Sequence, residues 1–188
     1  MQRASRMYLC LLTTALFLAG CGYNQIQTLD ERVNQAQGQI QTQLQRRADL
    51  IPNLVNTVKG VTKQEDTVFI SIANARARLG GAIQSGNVRQ MAAADSVLSQ
   101  GLGRLLAIAE NYPQLQSSQN FRDLQSQLEG TENRISVARQ DYNTAVGEYN
   151  SYIRRFPYNL TAKIFGLDKA RPYFAAQAGA QEAPKVQF

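Results

Sequence analysis

The stretch FRDLQSQLEGTENRISVARQDYNTAVGEYNSYIRRF, residues 121–156, decides the fold. Its mostly apolar repeat advances in alternating steps of three and four, the pattern of one helix face kept in a single register. At about 1.5 Å per residue the stretch predicts a helix of roughly 54 Å, which needs partner helices of similar length to cover that face. The repeating positions are Phe121, Leu124, Leu128, Thr131, Ile135, Ala138, Tyr142, Ala145, Tyr149, Tyr152 and Phe156.

A first partner helix is predicted from Ile26 onward. Pro52 interrupts its backbone hydrogen bonds, and the proline ring would clash with the Ala48 carbonyl in an ideal helix. Either the helix kinks there, or a new helix starts with Asp49 as its N-cap. Gly60 ends or loosens the element. The apolar face comprises Ile26, Leu29, Val33, Ala36, Ile40, Leu44, Ala48, Ile51, Leu54 or Val55, and Val58.

Glutamines cover the other faces of this first helix and give good helix propensity without charge. We interpret them as a solvated surface, with a partner-binding surface as the alternative. They are Gln25, Gln27, Gln35, Gln37, Gln39, Gln41, Gln43 and Gln45.

A second helix is predicted to begin at Thr62 or Glu65 and to break at Gly80-Gly81 and Gly86. Its apolar side comprises Val68, Phe69, Ile72, Ala75 or Arg76, and Leu79.

A third helix is predicted between Asn87 as its N-cap and Pro113, which forces its end. Gly101 and Gly103 lie inside it, and because each costs about 1 kcal/mol relative to alanine, we expect a neighbouring helix to approach them closely. Asn120, with an acid three residues later, is predicted to cap the long helix. The apolar positions of the third helix are Met91, Ala94, Leu98, Leu102, Leu105, Ala109 and Tyr112.

These elements predict an all-α fold: an antiparallel up-and-down four-helix bundle with long first and last helices, the first kinked near Pro52. The bundle is expected to span residues 22–160. Large apolar side chains in residues 161–174 predict a C-terminal segment packed on the bundle, and the composition of residues 175–188 predicts a disordered tail.

Residues 1–20 have the parts of an export signal: a basic start, an apolar run from Met7 to Leu18 and a small-residue end. Leu18-Ala19-Gly20-Cys21 resembles the lipobox of bacterial lipoproteins, so residues 21–28 are expected to form a lipid-anchored N-terminus with the diacylglycerol on Cys21. The alternative is an uncleaved span, but the apolar run of about twelve residues is short of the ~20 that cross a bilayer. Gly22, in place of an aspartate, favours the outer membrane by resemblance to enterobacterial sorting.

The composition excludes much chemistry. The chain has no histidine, and its two cysteines, Cys10 and Cys21, both lie in the first 21 residues. Zinc sites and Ser-His or Cys-His catalysis are therefore excluded, and we predict neither metal nor cofactor nor catalytic residue. The net charge of +6 falls to +4 if Arg3 and Arg6 leave with the signal. That excess is mild and scattered, so we predict no nucleic-acid binding.

Polar residues on the long helix allow two interpretations. One is a network between helices that fixes their register; the other pairs Glu132 with Asp141 or Glu148 as acid and base. Asp141 lies half a turn away from Glu132, and Glu148 lies about 24 Å along the helix, so we favour the network. Tyr142, Tyr149 and Tyr152 are likewise interpreted as core rings rather than a binding cage. The network candidates are Thr131, Glu132, Asn133, Arg134, Arg139, Asp141, Asn143 and Asn150, facing Arg46, Arg47 and Asp49.

The chain contains, in this order, the motifs QLQRRADLIPNLV at 43–55, TVKG at 57–60, AENYP at 109–113, NF at 120–121, LQ at 124–125, TENRI at 131–135, YNxAV at 142–146, YNxxI at 149–153, FPxNL at 156–160 and FG at 165–166. Together these motifs resemble the LemA family of bacterial membrane-associated proteins over residues 23–174. The resemblance implies an antiparallel four-helix bundle tethered to a membrane by its N-terminus, and it supplies no catalytic activity. Many members keep an N-terminal spanning helix, whereas this chain ends its apolar run in a lipobox.

We therefore predict a membrane-anchored envelope lipoprotein facing the periplasm. It is expected to act without catalysis, by binding another envelope protein or by assembling with copies of itself. The alternative is an envelope hydrolase or modifying enzyme that uses carboxylates alone, which requires a concave pocket holding at least two acids within roughly 10 Å.

Overall fold

A computed structural model describes residues 2–62 and 66–174, with side chains from residue 22 onward. The described residues form six helices and no strand, so the predicted all-α class is confirmed. The side chains of the predicted signal sequence and the predicted disordered tail lie outside the described residues. The helices are α1 (Gln2–Lys59), α2 (Asp66–Ser85), α3 (Val88–Glu110), α4 (Pro113–Ser117), α5 (Gln119–Tyr152) and α6 (Tyr158–Ile164).

The chain divides into two compact units. The first unit is Met1–Ala36 with Asp141–Pro172, and the second unit is Gln37–Gln140 with Tyr173–Phe188. The first unit therefore contains part of α1, the end of α5, and α6. The second unit contains the rest of α1 together with α2, α3, α4 and most of α5.

The predicted apolar face of α1 is confirmed along its length, and at the open position Leu54 rather than Val55 is buried. The helix runs without a break through Pro52, so a new helix starting at Asp49 is wrong. Asp49 instead accepts a hydrogen bond from Gln45 Nε2 at 2.8 Å.

The carbonyl that Pro52 leaves without a partner is satisfied from another helix. Pro52 has no N–H to donate to Ala48, four residues earlier. Arg76 Nε of α2 donates to the Ala48 oxygen at 2.8 Å instead. Arg76 of α2 therefore supplies the donor that α1 lacks at Pro52.

This pairing makes a prediction. Arg76→Ala should lower the free energy of unfolding by about 1–2 kcal/mol, because the Ala48 carbonyl loses its donor. In a Pro52→Ala background the backbone N–H introduced at position 52 can donate to that carbonyl, so the same change should cost much less. A double-mutant cycle by urea unfolding measures the difference, and an equal cost in both backgrounds would contradict it.

The helix α2 runs through Gly80-Gly81, so the predicted break there is wrong. It ends one residue before Gly86, which has φ +64°, a conformation that favours glycine. Gln37 and Gln41 of α1 donate to the carbonyls of Gly86 and Ile83 at 2.9 and 3.5 Å. Two residues of the glutamine-rich surface thus cap α2 rather than face solvent alone.

The cap of α3 is confirmed: Asn87 accepts a hydrogen bond from the Gln90 backbone N–H at 3.2 Å. Of the two glycines in α3, only Gly101 has a close neighbour. A Cβ at Gly101 would lie 3.1 Å from Ile72 Cγ1 of α2, whereas a Cβ at Gly103 would meet nothing within 4 Å. The expectation of close approach is therefore right for Gly101 and wrong for Gly103.

These two glycines form a matched test of packing. Gly101→Leu should cost about 1–3 kcal/mol of stability, because the buried Ile72 cannot give way to a larger group. Gly103→Leu should instead gain roughly 0.5–1 kcal/mol from helix propensity. Thermal and urea unfolding of the two variants measure both signs, and a gain at position 101 would contradict the contact.

The helix α5 buries the predicted face from Phe121 to Tyr142, and Tyr149 keeps its predicted place, but two other positions near the end move by one. Val146 and Ile153 are buried where the register predicted Ala145 and Tyr152, which are half-buried. Phe156 lies beyond the helix and is 79% exposed, so its place on the buried face is wrong. The helix also begins at Gln119, before the predicted cap Asn120.

Candidate functional site

A buried charged cluster joins three helices of the second unit. Asp95 of α3 is fully buried. Arg47 of α1 donates to it at 2.9 Å from Nη1 to Oδ1, and Arg139 of α5 pairs with its second carboxylate oxygen. The two guanidiniums thus engage both oxygens of one carboxylate, which is how a buried acid is best satisfied.

The charged cluster continues towards the surface through Glu132. Glu132 Oε2 lies 2.7 Å from Arg47 Nη1, and its side chain is 45% exposed. Burial raises the pKa of the Asp95 carboxyl, while the opposing charges of Arg47 and Arg139 lower it and Glu132 raises it. Asp95 thus has a carboxyl that solvent does not reach and whose pKa is raised.

Sequence reasoning found most of this cluster. The predicted contact between the first and the long helix is present as Arg47 with Glu132, and Arg139 also belongs to the network. Asp95 was missed, although it stands four residues after Met91 and three before Leu98, a spacing that places an acid on an apolar face. The candidates Arg46, Asp49, Asn133 and Arg134 are exposed.

A cavity of about 270 Å³ opens beside the charged cluster. Its lining includes Arg47, Ser99, Glu129 and Glu132. The Ser99 hydroxyl is buried and has no hydrogen-bond partner. Because Glu129 and Glu132 are three residues apart on α5, they share one face of that helix. The cavity thus brings two carboxylates to one concave surface.

The part of the chain that the structure describes contains no cluster of metal-binding side chains. No three residues of the types His, Cys, Asp and Glu are placed there to hold an ion together.

In the first unit, a segment after α6 is fastened to α1 and α5. We call residues 165–172 the C-terminal strap. The buried Asn150 of α5 makes two hydrogen bonds with the Arg171 backbone, donating to its carbonyl at 2.9 Å and accepting from its N–H at 2.8 Å. The Arg171 guanidinium donates to both oxygens of Asp30 of α1, at 2.7 to 2.9 Å. One residue of the strap therefore ties two helices.

Two tyrosine hydroxyls extend this attachment. Tyr142 donates to the Pro172 carbonyl at 2.9 Å, and Tyr149 donates to the Leu167 carbonyl at 3.0 Å. Both rings are buried, as expected for core rings, and their hydroxyls bind the strap. Tyr152 is stacked on Tyr158 of α6, with 4.4 Å between the ring centroids. These tyrosines make structural contacts.

Burial raises the pKa of both hydroxyls. For Tyr142 the nearby charge of Arg171 opposes this effect. For Tyr149, Asp30 and Asp168 raise the pKa further and Arg171 lowers it. In each case loss of the proton would put a negative charge beside a backbone carbonyl.

A pH dependence follows from Tyr142. The folded chain keeps this proton above about pH 10, where the unfolded chain releases it. The unfolded state then binds fewer protons, so stability is fully present below about pH 10 and falls as the pH rises beyond it. Urea unfolding between pH 8 and 11 should show a shallower decline for Tyr142→Phe than for the unchanged protein. Equal slopes would contradict the assignment.

The other sequence candidates lie apart from any such cluster. Glu148 makes an exposed ion pair with Arg32, 3.6 Å between Oε2 and Nη1, and Asp141 is exposed. The side chain of Cys21 lies outside the described residues. Gly22 and Tyr23, which follow it, contact α6 and the residue after it: a Cβ at Gly22 would lie 2.7 Å from Tyr158 Cδ1, and the ring of Tyr23 lies 4.7 Å from that of Phe165.

The chain matches the model of the LemA family over residues 36–188, most of its length. It belongs to the LemA family. The resemblance seen in the motifs is therefore confirmed for this LemA-family chain, whose described residues contain no helix long and apolar enough to cross a membrane.

Relatives of this LemA-family chain include three magnetosome proteins. Magnetosome protein MamQ 2 and Magnetosome protein MamQ 1 of Paramagnetospirillum magneticum are each 28% identical to it, over 92% of this chain and 73% of the relative. Magnetosome protein MamQ of Magnetospirillum gryphiswaldense is 26% identical, over 84% of this chain and 66% of the relative. The similarity thus covers nearly the whole chain.

Proposed function

We propose that this chain is a lipid-anchored helical module of the bacterial envelope that works by binding, without catalysis. The observation that carries the proposal is that the polar residues of the family's motifs contact other parts of this chain. Arg47 and Glu132 pair with each other, and Tyr142, Tyr149 and Asn150 hold the C-terminal strap. These contacts hold helices and the strap in place, so they favour a structural and interaction role.

The architecture proposed for this module is an antiparallel up-and-down four-helix bundle of α1, α2, α3 and α5, with α1 kinked near Pro52. Contacts within the second unit support it. Along α1 and α2, Gln37 contacts Gly86 while Ala48 contacts Arg76, so the numbering runs in opposite directions. Asp95 of α3 then pairs with both α1 and α5.

The proposed anchor is a diacylglycerol on Cys21, after removal of residues 1–20 as a signal. The lipobox supports it, and the proposed place is the periplasmic face of the outer membrane. Residues 21–28 would lead from the lipid into the bundle, which is proposed to reach residue 160 and to carry residues 161–174 against it. Two or three acyl chains supply about 0.8 kcal/mol for each buried CH₂ group, enough for stable attachment.

Mass spectrometry of the mature N-terminus tests the anchor. We expect a peptide that begins at Cys21 and carries the mass of two or three acyl chains. The variant Cys21→Ala should lose that mass and remain unprocessed. A native peptide that still contains residues before Cys21 would overturn this anchor. Separation of inner and outer membranes on a density gradient then tests the proposed location.

The proposed partner surface is the groove between α1 and α2. It has a volume of about 530 Å³ and is lined by the glutamine-rich side of α1 together with Ile83. We propose that an envelope protein or a second copy of this chain binds there, and that nucleic acid does not. Polar amides over a partly apolar floor give the hydrogen bonding and burial that a protein surface needs. The lining residues are Gln41, Thr42, Gln45, Arg46, Asp49, Leu50 and Ile83.

Photo-crosslinking in intact envelopes tests this surface. A photoreactive residue at the exposed Thr42 should yield a discrete heavier product, either a dimer or an adduct with another envelope protein. The same residue at the exposed Arg104 of α3 is the control and should give none. Recovery of only the monomer from both positions would count against the interaction role.

A carboxylate-only hydrolase or modifying enzyme is the second candidate, and the cavity beside the charged cluster favours it. Glu129 and Glu132 both line that cavity. Asp95, whose pKa is raised as a general acid requires, is fully buried and cannot touch a substrate. Turnover of purified envelope glycans that is abolished by Glu132→Gln would establish this function; no difference between that variant and the unchanged protein would remove it.

A further inference from the structure

The first unit carries a group of large apolar side chains in contact with solvent. Phe156 is 79% exposed, Leu160 51%, Ile164 74% and Phe165 53%. We call these four residues the α6 surface. Leu160 and Ile164 are four residues apart on α6 and share one face, while Phe156 and Phe165 lie just before and just after that helix. Exposed apolar groups gathered on and beside one short helix indicate an interaction site rather than chance exposure.

The α6 surface is bordered by positive charge. Arg154, Arg155 and Lys163 are exposed around it. Residues 149–167 contain no aspartate or glutamate. Exposed apolar side chains with cations next to them in the sequence and no acid between them are typical of elements that lie on anionic membranes.

The α6 surface also lies beside the start of the proposed mature chain. Gly22 packs so closely on Tyr158 that a Cβ at residue 22 would lie 2.7 Å from the ring atom Cδ1 and 3.6 Å from Thr161 Oγ1. The ring of Tyr23 contacts that of Phe165, a member of the α6 surface, at 4.7 Å and an interplanar angle of 53°. The residues next to Cys21 are therefore in direct contact with α6 and its surface.

We propose that the α6 surface docks on the anionic surface of the bilayer, with its apolar side chains in the headgroup region and its cations at the lipid phosphates. This inference rests on the proposed function, because the lipid on Cys21 brings the surface to the membrane. An acyl chain alone is a flexible attachment, whereas a second contact close to it fixes which side of the first unit faces the lipid.

The absence of tryptophan from the chain provides the test. Ile164→Trp places a single fluorescent group, the α6 reporter, on the α6 surface. Ile70→Trp, at a position of α2 that is 59% exposed, gives the matched control, the α2 reporter. The full chain, isolated with its native N-terminus, is reconstituted into phosphatidylglycerol vesicles with brominated acyl chains.

We expect the bromines to quench the α6 reporter about twofold or more, as for side chains buried 5–10 Å into the interface. The α2 reporter should not be quenched. Equal quenching of both reporters overturns the proposal.

Charge removal gives a second readout. Arg154→Gln with Lys163→Gln, in the Ile164→Trp chain, should weaken docking by about fivefold for each charge. Arg89→Gln with Arg104→Gln removes two exposed cations from α3 and should leave the quenching unchanged. Zwitterionic phosphatidylcholine vesicles should reduce the quenching of the α6 reporter. Quenching that ignores both the lipid charge and the α6 cations would overturn the anionic surface as the docking partner.

The docking proposal and the anchor can fail separately. Mass spectrometry of the same preparation reports whether Cys21 is acylated. An acylated chain whose α6 reporter is not quenched retains the anchor and overturns docking. An unacylated chain whose α6 reporter is quenched supports docking and overturns the lipid anchor.

Discussion

Asp95→Ala should lower the free energy of unfolding by about 3–5 kcal/mol, because it removes the buried carboxylate that two guanidinium groups share. Arg47 has a side chain only 7% exposed and keeps only the half-exposed Glu132 as its partner. Arg139, at 24% exposed, also loses its ion pair and keeps its contact with the ring of Phe174, 5.1 Å from the centroid. Urea unfolding of the full chain in mild detergent, followed by circular dichroism, measures the change.

Three further variants separate lost charge from lost packing. Asp95→Asn keeps the shape and one acceptor oxygen, so it should cost less than the alanine change. Glu132→Gln should cost less than about 1 kcal/mol, since that side chain is half exposed. The triple variant Arg47→Met, Asp95→Leu, Arg139→Met removes the charges of both arginines together with that of Asp95 and should be more stable than Asp95→Ala alone. A triple variant weaker than the single one would show that the cluster itself supplies net stability.

Asn150→Ala should release the C-terminal strap. The change removes both partners of the Arg171 backbone, and each unpaired group costs about 1–3 kcal/mol while it stays buried. The strap can escape that cost by opening to water, so we expect opening to become easier by about 2–3 kcal/mol, which corresponds to an increase in amide exchange on the order of 30–150-fold. Hydrogen exchange of a peptide covering residues 165–174 measures it.

The exposed Asn133 on the same helix supplies the matched control. Asn133→Ala should leave exchange of the strap unchanged. Asp30→Asn should have an intermediate effect, because the Arg171 guanidinium keeps a neutral oxygen acceptor but loses the charged one. Equal protection of the strap in Asn150→Ala and Asn133→Ala would contradict the role given to Asn150.

Helix faces were the most predictable part of the fold, since burial follows the 3.6-residue period directly. Every predicted position of the α1 face is buried, with Leu54 taking the position that was left open. The misplaced end of the α5 face has a geometric cause. A straight helix drifts by about 20° in each heptad relative to a strict seven-residue repeat. Over several heptads the buried face therefore moves from Ala145 to Val146 and from Tyr152 to Ile153.

Helix ends were harder to predict because they depend on contacts from elsewhere. Gly80-Gly81 resembles a break, yet α2 continues to Ser85, where Gln37 and Gln41 of α1 supply its last carbonyls with donors. Nothing in the sequence around Gly80-Gly81 indicates these hydrogen bonds from α1. The short helix α4, which begins at Pro113, was missed because the same proline was taken only as the end of α3.

The polar clusters show the same limit. Arg47 and Glu132 were among the polar residues expected to face each other across the first and the long helix, because both belong to dense polar stretches. Asp95 stands alone in an apolar stripe, and Arg171 lies 141 residues from Asp30. Pairings at such separations leave no periodic trace in one sequence, so the part that Asp95 plays in the charged cluster and the contacts of the strap are visible only in the folded chain.

The tight fit of Gly22 against Tyr158 links two properties that are usually chosen independently. Under the proposed acylation, Gly22 follows the lipidated cysteine, and the residue at that position determines the membrane to which the lipoprotein is sorted. In this chain Gly22 packs so closely on Tyr158 that a larger side chain has no room. An aspartate introduced at position 22 to keep the protein at the inner membrane would also disturb this packing, unless Tyr158 were replaced by a smaller residue in the same variant.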